Sequence, residues 1–200
     1  MVPSRRPPPL WRPIVNGIVS PLGRFGLRTR RSGLERVPAG GAIIAYNHVS
    51  FLDALLITQV SARPIRVVAE RKYLRLPVLG ALLAGCGVVA VERGSGGRET
   101  LASLEGLLVA GDLVGIFPEG GLRRGVPLGP LQRGAAFTAL RAGVPIVPVA
   151  IGGHRPLRPW RRRAFLRIGE PLPPVGSSRE LTARLDAALR ALLIDAGERT

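Results

Sequence analysis

Short runs of β-forming residues recur along this 200-residue chain and alternate with segments of helical spacing. The run Ala42–Tyr46 has no polar alternation, which is typical of a strand buried on both faces of a sheet. Strands are predicted at Ala42–Tyr46, Ile65–Ala69, Val88–Val91, Leu113–Phe117 and Ile146–Ile151, with Phe165–Ile168 as an edge strand. This order predicts an α/β fold, a single domain with a largely parallel central sheet flanked by helices.

Helices are predicted between these strands. The predicted bounds are Phe51–Val60 with Ser50 as its N-cap, Val78–Ala84, Arg98–Ala110 and Gln132–Ala142, the last two ended by Gly111 and Gly143. A last helix is expected to begin at the capping pattern Ser177-x-x-Glu180. Its spacing turns four leucines toward the core, Leu181, Leu185, Leu189 and Leu192.

The composition excludes several classes of site. With 46% hydrophobic residues, the chain can bury one sizeable core. Cys86 is the only cysteine, so no intrachain disulfide can form, and two widely separated histidines add no metal-ligand pattern. No nucleotide-binding glycine loop follows any predicted strand. We therefore expect neither a metal nor a bound cofactor.

The formal net charge of +16 calls for an anionic partner, either nucleic acid or an anionic lipid surface. Aromatic residues make up only 4% of the chain, and no recognition-helix, zinc-finger or RNA-binding pattern is present. Nucleic acid is therefore an unlikely partner. Since Lys72 is the only lysine, the charge is almost wholly arginine, which favours bidentate phosphate contacts but is also what codon bias would produce.

Two segments could lie on a membrane surface. Residues 1–40 are predicted as a basic arm followed by a helix at Leu10–Leu27, which would be interfacial or packed on the domain of residues 41–200. The basic loop Arg155–Arg163 is a second candidate contact, or a solvated loop. The longest uncharged run, Leu76–Val91, is shorter than the ~20 residues that span a bilayer. We expect a peripheral protein on the cytoplasmic side of the plasma membrane.

His48 and Asp53 form the strongest candidate site. His48 directly follows the strand Ala42–Tyr46, and Asp53 falls in the first turn of the next helix. Its carboxylate could orient one imidazole nitrogen while the other nitrogen accepts a proton. No nucleophilic side chain is evident beside the pair, so the nucleophile would be a substrate hydroxyl. The alternative is that Asp53 only caps the helix with Ser50.

Four sequence blocks, each beside a predicted strand, occur in a fixed order. They are Asn47-His48-x4-Asp53; Gly87 to Arg93; Phe117-Pro118-Glu119-Gly120; and Val147 to Ile151, preceded by Gln132-Arg133-Gly134. In order and spacing they resemble the four motifs of the glycerolipid acyltransferases, above all the bacterial 1-acyl-glycerol-3-phosphate (lysophosphatidic acid) acyltransferases. Gly121-Leu122-Arg123-Arg124 departs from the Thr-Arg-Ser that usually follows the third block, so the expected arginine is displaced by one position.

The resemblance implies an enzyme that moves a fatty acyl group from acyl-CoA or acyl-carrier protein to the free hydroxyl of lysophosphatidic acid, giving phosphatidic acid. It implies His48 as general base and Asp53 as its orienter. The substrate-binding residues it implies are Arg93, Glu119 and Gly120, with Arg123 and Arg124 near the displaced position, and Val147, Pro148 and Val149 would line the acyl pocket. The alternatives are an acyltransferase for another lyso-lipid or an amino-lipid, and a catalytically silent basic module that binds membranes.

Overall fold

The computed structural model describes residues 29–50, 53–57, 59–75, 80, 88–91, 98–122, 126–153 and 164–197. The predicted membrane segments Leu10–Leu27 and Arg155–Arg163, and all of the predicted helix Val78–Ala84 except Gly80, lie outside these residues. Within the described chain, every helix is too short or too polar to reach across a lipid bilayer.

Strands of the described residues form one mostly parallel seven-stranded sheet in the order β1-β7-β6-β2-β5-β3-β4. Their bounds are β1 Arg30–Ser32, β2 Ala42–Tyr46, β3 Ile65–Glu70, β4 Val89–Val91, β5 Leu113–Ile116, β6 Ile146–Gly152 and β7 Phe165–Ile168. The five strands from β6 to β4 are mutually parallel, while β7 runs antiparallel to β6 and parallel to β1. The predicted fold class is confirmed.

The central strand β2 is buried on both faces because β5 and β6 flank it and helices cover it. Ile43 pairs with Val114 of β5 and with Ile146 of β6, and all five residues of β2 have no exposed surface. The absence of polar alternation in this run reflects that double burial.

Helices of the described residues pack on both faces of the sheet. The α-helices with described bounds are α1 Asp53–Ile57, α2 Arg98–Val109, α3 Gly134–Ala142 and α4 Ser178–Asp195. Side chains of α2, α3 and α4 pack with one core cluster, which we call the three-helix face, whereas Leu56 and Ile57 of α1 pack with the other, the α1 face. The predicted helix ends at Gly111 and Gly143 are confirmed, and both glycines have a positive φ.

The last helix begins at the predicted capping box, and its leucines face the core largely as their spacing predicts. Ser177 Oγ accepts the Glu180 N–H at 3.2 Å, and the Glu180 carboxylate accepts the Ser177 N–H at 2.7 Å, which completes the capping box. The bond from the Ser177 N–H to the carboxylate is the main cause that holds the pKa of Glu180 below its usual value, and the Ser177 side chain adds to it. Leu181, Leu185 and Leu189 are buried, and Leu193 completes the row, whereas the predicted Leu192 is only partly buried.

The structure corrects the predicted sheet edge. Phe165–Ile168 is not an edge strand, because β1 pairs along its outer side, with Arg30 opposite Phe165. β1 has only three residues, all exposed, and two are arginines. Such a segment carries no hydrophobic pattern, so its strand conformation depends on pairing with β7. Residues 30–32, predicted as part of the N-terminal segment, thus belong to the sheet.

Candidate active site

The carboxyl ends of neighbouring parallel strands bring the predicted site residues together. His48 follows β2 and Glu119 follows β5, and the His48 N–H donates to Glu119 Oε1 at 2.7 Å. Functional loops of α/β proteins gather at this edge of the sheet. Two of the four sequence blocks therefore meet in one constellation.

His48 and Asp53 form the hydrogen-bonded pair predicted from their spacing. Nδ1 of His48 lies 2.8 Å from Oδ2 of Asp53, and the same oxygen accepts the N–H groups of Val49 at 2.9 Å and Ser50 at 3.0 Å. The Asp53 side chain has no exposed surface, whereas 18% of the His48 side chain is exposed. A buried carboxylate thus orients an accessible imidazole, which is the arrangement of a general base with its orienter.

Asp53 also satisfies backbone groups at the start of α1, as the capping alternative requires. Its N–H donates to the carbonyl of Ser50 at 3.1 Å, and its carboxylate accepts two N–H groups of the preceding turn. The described helix is shorter than predicted: it ends at Ile57, and Gln59 and Val60 follow with tighter i→i−3 bonds to Leu56 and Ile57. Capping and orientation of His48 are therefore combined in one side chain.

Glu119 is buried against backbone. Only 1% of the residue is exposed, and its Oε2 accepts the N–H of Gly129 at 2.7 Å in addition to the His48 bond at Oε1. Gly120 follows with φ +70°, and its N–H donates to the carbonyl of Phe117 at 3.1 Å. This positive φ favours glycine, because other residues rarely adopt it, and a Cβ at position 120 would also displace the side-chain amide of Gln132.

Asn47 connects the same region to β6, a role that was not predicted from the sequence. Its side-chain amide donates to the carbonyls of Pro127 and Ile151, both at 2.9 Å, and its Oδ1 accepts the Ile151 N–H at 2.7 Å. Asn47 has no exposed surface. The sequence does contain a signal for this role: a polar amide directly follows a wholly apolar strand, and a buried amide needs hydrogen-bond partners.

Two aromatic rings support His48. The Phe117 ring stacks on the imidazole with centroids 4.0 Å apart and an interplanar angle of 25°, and Tyr46 packs against Phe117 at 5.8 Å. The Tyr46 hydroxyl is buried and has no hydrogen-bond partner among the described residues. Burial raises the pKa of this phenol well above its usual value, so it stays neutral.

The three residues predicted for an acyl pocket do not share one face of the sheet. Val147 and Val149 are fully buried in the α1-face cluster, together with Tyr46. The Pro148 ring lies beside Gly169, where an added Cβ would also meet Leu192 of α4. Strand alternation therefore turns Pro148 to the three-helix face.

Three of the predicted substrate-binding residues, Arg93, Arg123 and Arg124, lie outside the described residues. Among the residues that are described, no three His, Cys, Asp or Glu side chains group to ligate a metal ion.

The sequence is similar to known acyltransferases. A family model described as Acyltransferase matches residues 28–152, more than half of the chain. The 1-acyl-sn-glycerol-3-phosphate acyltransferase of Borreliella burgdorferi is 31% identical over 63% of this chain and 52% of that relative. The Salmonella typhimurium protein of the same name is 30% identical over 88% of this chain and 75% of that relative.

A solved structure shares the fold. The crystal structure of the 1-acyl-sn-glycerophosphate (LPA) acyltransferase of Thermotoga maritima matches with a TM-score of 0.77 and 23% identity, covering 94% of this chain and 82% of that chain. The chain spans about half the length of the first curated relatives, 52% of the Borreliella protein and 42% of a chloroplastic one from Brassica napus. The family-model match and the Salmonella relative confirm the resemblance seen in the four blocks: this chain belongs to the acyltransferase family.

Proposed function

We propose that the chain transfers a fatty acyl group from acyl-CoA or acyl-carrier protein to the free hydroxyl of lysophosphatidic acid, giving phosphatidic acid. The observation that carries the proposal is the 2.8 Å contact between His48 Nδ1 and the fully buried Asp53 carboxylate. The relatives named 1-acyl-sn-glycerol-3-phosphate acyltransferase support the choice of acceptor.

The chemistry requires one base and no covalent enzyme intermediate. His48 Nε2 takes the proton of the acceptor hydroxyl as its oxygen attacks the thioester carbonyl carbon, so that a C–O bond forms. The C–S bond then breaks, and the thiolate leaves with the proton from the imidazolium. Asp53 stabilises that imidazolium through Nδ1. General-base catalysis of this kind contributes roughly 10²–10⁴-fold to the rate.

The acceptor phosphate would be held by arginine. Arg93 follows β4 in sequence, Arg123 and Arg124 follow the Gly120 turn, and a guanidinium binds phosphate bidentately. Arg93→Ala should raise the KM for lysophosphatidic acid much more than the KM for the acyl donor. Arg93→Lys should rescue binding only in part, because a point charge does not reproduce two parallel hydrogen bonds.

The acyl chain would lie on the α1 face. His48 stacks on Phe117, which packs with the same cluster as Val147 and Val149, so the base and these two apolar side chains share one side of the sheet. Pro148, on the opposite face, would support the pocket through the strand rather than line it.

An anionic membrane surface would present the acceptor. Arg30, Arg31 and Arg167 line a groove of about 260 Å³. Arg30 pairs with Phe165, which pairs with Gly152 at the carboxyl end of β6, so the groove begins at the edge of the sheet that carries His48. Three strand spacings place it about 14 Å to the side of β2. The cytoplasmic side of the plasma membrane stays a prediction.

The test is a panel of lyso-lipids, with and without a phosphate monoester, offered with acyl-CoA or acyl-carrier protein and analysed by product mass. We expect acylation of lysophosphatidic acid, poor use of its dephosphorylated counterpart, and at least a ~10²-fold lower kcat for folded His48→Ala. Equal use of the dephosphorylated acceptor would favour the amino-lipid alternative. Membrane binding without any thioester turnover would favour the silent module.

A further inference from the structure

Glu119 contacts the same histidine that carries the proposed chemistry. Its Oε1 accepts the backbone N–H of His48 at 2.7 Å, while Asp53 holds the imidazole of that residue at 2.8 Å. Phe117, two residues before Glu119, stacks on the ring. The segment 117–119 therefore contacts both the backbone and the side chain of His48.

Glu119 also joins His48 to the segment 127–132. Its second oxygen accepts the Gly129 N–H at 2.7 Å, and the adjacent Pro118 carbonyl accepts the Gln132 N–H at 2.7 Å. Asn47, next to His48, donates to the Pro127 carbonyl at 2.9 Å. These bonds close a network of three chain segments around one buried carboxylate.

The charge and burial of Glu119 argue against direct contact with a phosphate. Only 1% of the residue is exposed, and a carboxylate repels a phosphate that approaches it. Backbone N–H groups, in contrast, are favourable partners for a buried carboxylate, and charge-assisted bonds of this kind are short and strong.

We propose that Glu119 is a positioning residue and not a ligand of the acceptor phosphate. It holds the backbone of His48 so that the imidazole keeps its position relative to the acceptor hydroxyl. The inference rests on the proposed acyl transfer. Two carboxylates then fix the direction of His48 Nε2, Asp53 through the ring and Glu119 through the main chain. Because a displacement of about 1 Å in a reacting group can lower a rate about 10²-fold, loss of the Glu119 bond should affect kcat.

The experiment compares Glu119→Gln with wild type in the full chain. The His48 and Gly129 N–H groups donate to different oxygens of Glu119. Glutamine keeps the length of the side chain but puts an amide NH2, which cannot accept, in place of one of them, and the acceptor that remains is no longer charged. We expect kcat to fall at least ten-fold while the KM values for acceptor and donor each change less than about three-fold. Glu119→Asp, which keeps the charge on a shorter arm, should show the same pattern and serves if the glutamine variant fails to fold.

Amide hydrogen exchange followed by NMR reports on the contact without any turnover. In Glu119→Gln the His48 amide should exchange at least ten-fold faster, while Ile43 and Ile44 of β2 remain as in wild type. Glu170→Gln, which removes an exposed carboxylate paired with Arg36, is the matched control and should alter neither readout.

Two results would overturn the inference: a selective rise in acceptor KM at unchanged kcat, or unchanged exchange of the His48 amide. If wild type acylates no lyso-lipid, the proposed function fails instead, and the exchange measurement still decides whether Glu119 holds His48.

Discussion

Two buried carboxylates accept hydrogen bonds from three consecutive backbone N–H groups. Those of Val49 and Ser50 donate to Asp53, and that of His48 donates to Glu119. The Gly120 N–H, in the next strand-end turn, donates to Phe117. An oxyanion that develops during acyl transfer needs donors that are not already engaged. These four N–H groups are therefore unsuitable as oxyanion donors.

Asp53→Asn tests the orienting role. The change removes the negative charge that favours the imidazolium and replaces one carboxylate oxygen with an amide donor, so kcat should fall about 10²-fold or more. The variant should also unfold at a lower temperature, because Oδ2 accepts two backbone N–H groups as well as His48. Steady-state kinetics and thermal unfolding measure the two effects. A lower Tm with wild-type kcat would leave Asp53 as a helix cap only.

Tyr46→Phe tests a buried hydroxyl that has no partner among the described residues. A buried hydroxyl without a hydrogen bond is unfavourable by roughly 1–3 kcal/mol, so its removal should leave the free energy of unfolding unchanged or raise it by about 1 kcal/mol. Urea unfolding measures this difference. The prediction is contradicted if the variant is less stable than wild type by more than about 1 kcal/mol.

At the scale of elements, local pattern predicted the buried strands well. β2 and β6 are continuous apolar runs between turn residues, and the structure confirms both, with β6 extended by one residue to Gly152. β1 could not be predicted, because three exposed residues with two arginines show no periodicity and their conformation depends on β7, more than 130 residues later.

The candidate site likewise combines contacts that local sequence pattern predicts with contacts that it does not. His48 and Asp53 are five residues apart, so their contact follows from a strand end and the adjacent helical turn. The partners of Asn47 and Glu119 are distant in sequence, 104 residues for Ile151 and 71 residues for His48. Such pairings depend on the strand order, which no local pattern contains.

Gly41→Ala tests the close contact between β2 and α2. A Cβ at position 41 would overlap the backbone carbonyl oxygen of Leu108, in the last turn of α2, so backbone would have to move. We expect a loss of about 1–3 kcal/mol in the free energy of unfolding, as for other overpacked sites. The neighbouring Gly40→Ala is the control, because open space surrounds its Cβ. Equal urea midpoints for the two variants would refute the contact.

At the scale of the whole molecule, a net charge of +16 should produce salt-sensitive binding to anionic vesicles. Exposed charges are screened within about 10 Å at 0.1 M salt, so binding measured by sedimentation should weaken as salt rises. Replacing Arg30, Arg31 and Arg167 together by alanine should weaken binding more than replacing Arg141, Arg184 and Arg190, which removes the same charge from helices α3 and α4.

The vesicle experiment has two contradicting outcomes. Equal binding to neutral vesicles would exclude an electrostatic surface contact. Equal losses in the two triple variants would mean that total charge, and not the groove, determines binding. Duplex DNA in a parallel assay shows whether a second polyanion binds with similar salt dependence.

The strand order also has a consequence during synthesis. β2 is made early, but its two neighbours in the sheet are β5 and β6, and Ile43 pairs with Ile146. At translation rates of about 5–20 residues per second, roughly 100 residues separate the two events by at least about 5 seconds. β2 lacks both partners until β5 is made, roughly 70 residues after it, and lacks β6 for the whole interval, so an apolar strand is open to aggregation or to a chaperone. His48 cannot reach its final surroundings until Ile151, the partner of Asn47, has left the ribosome.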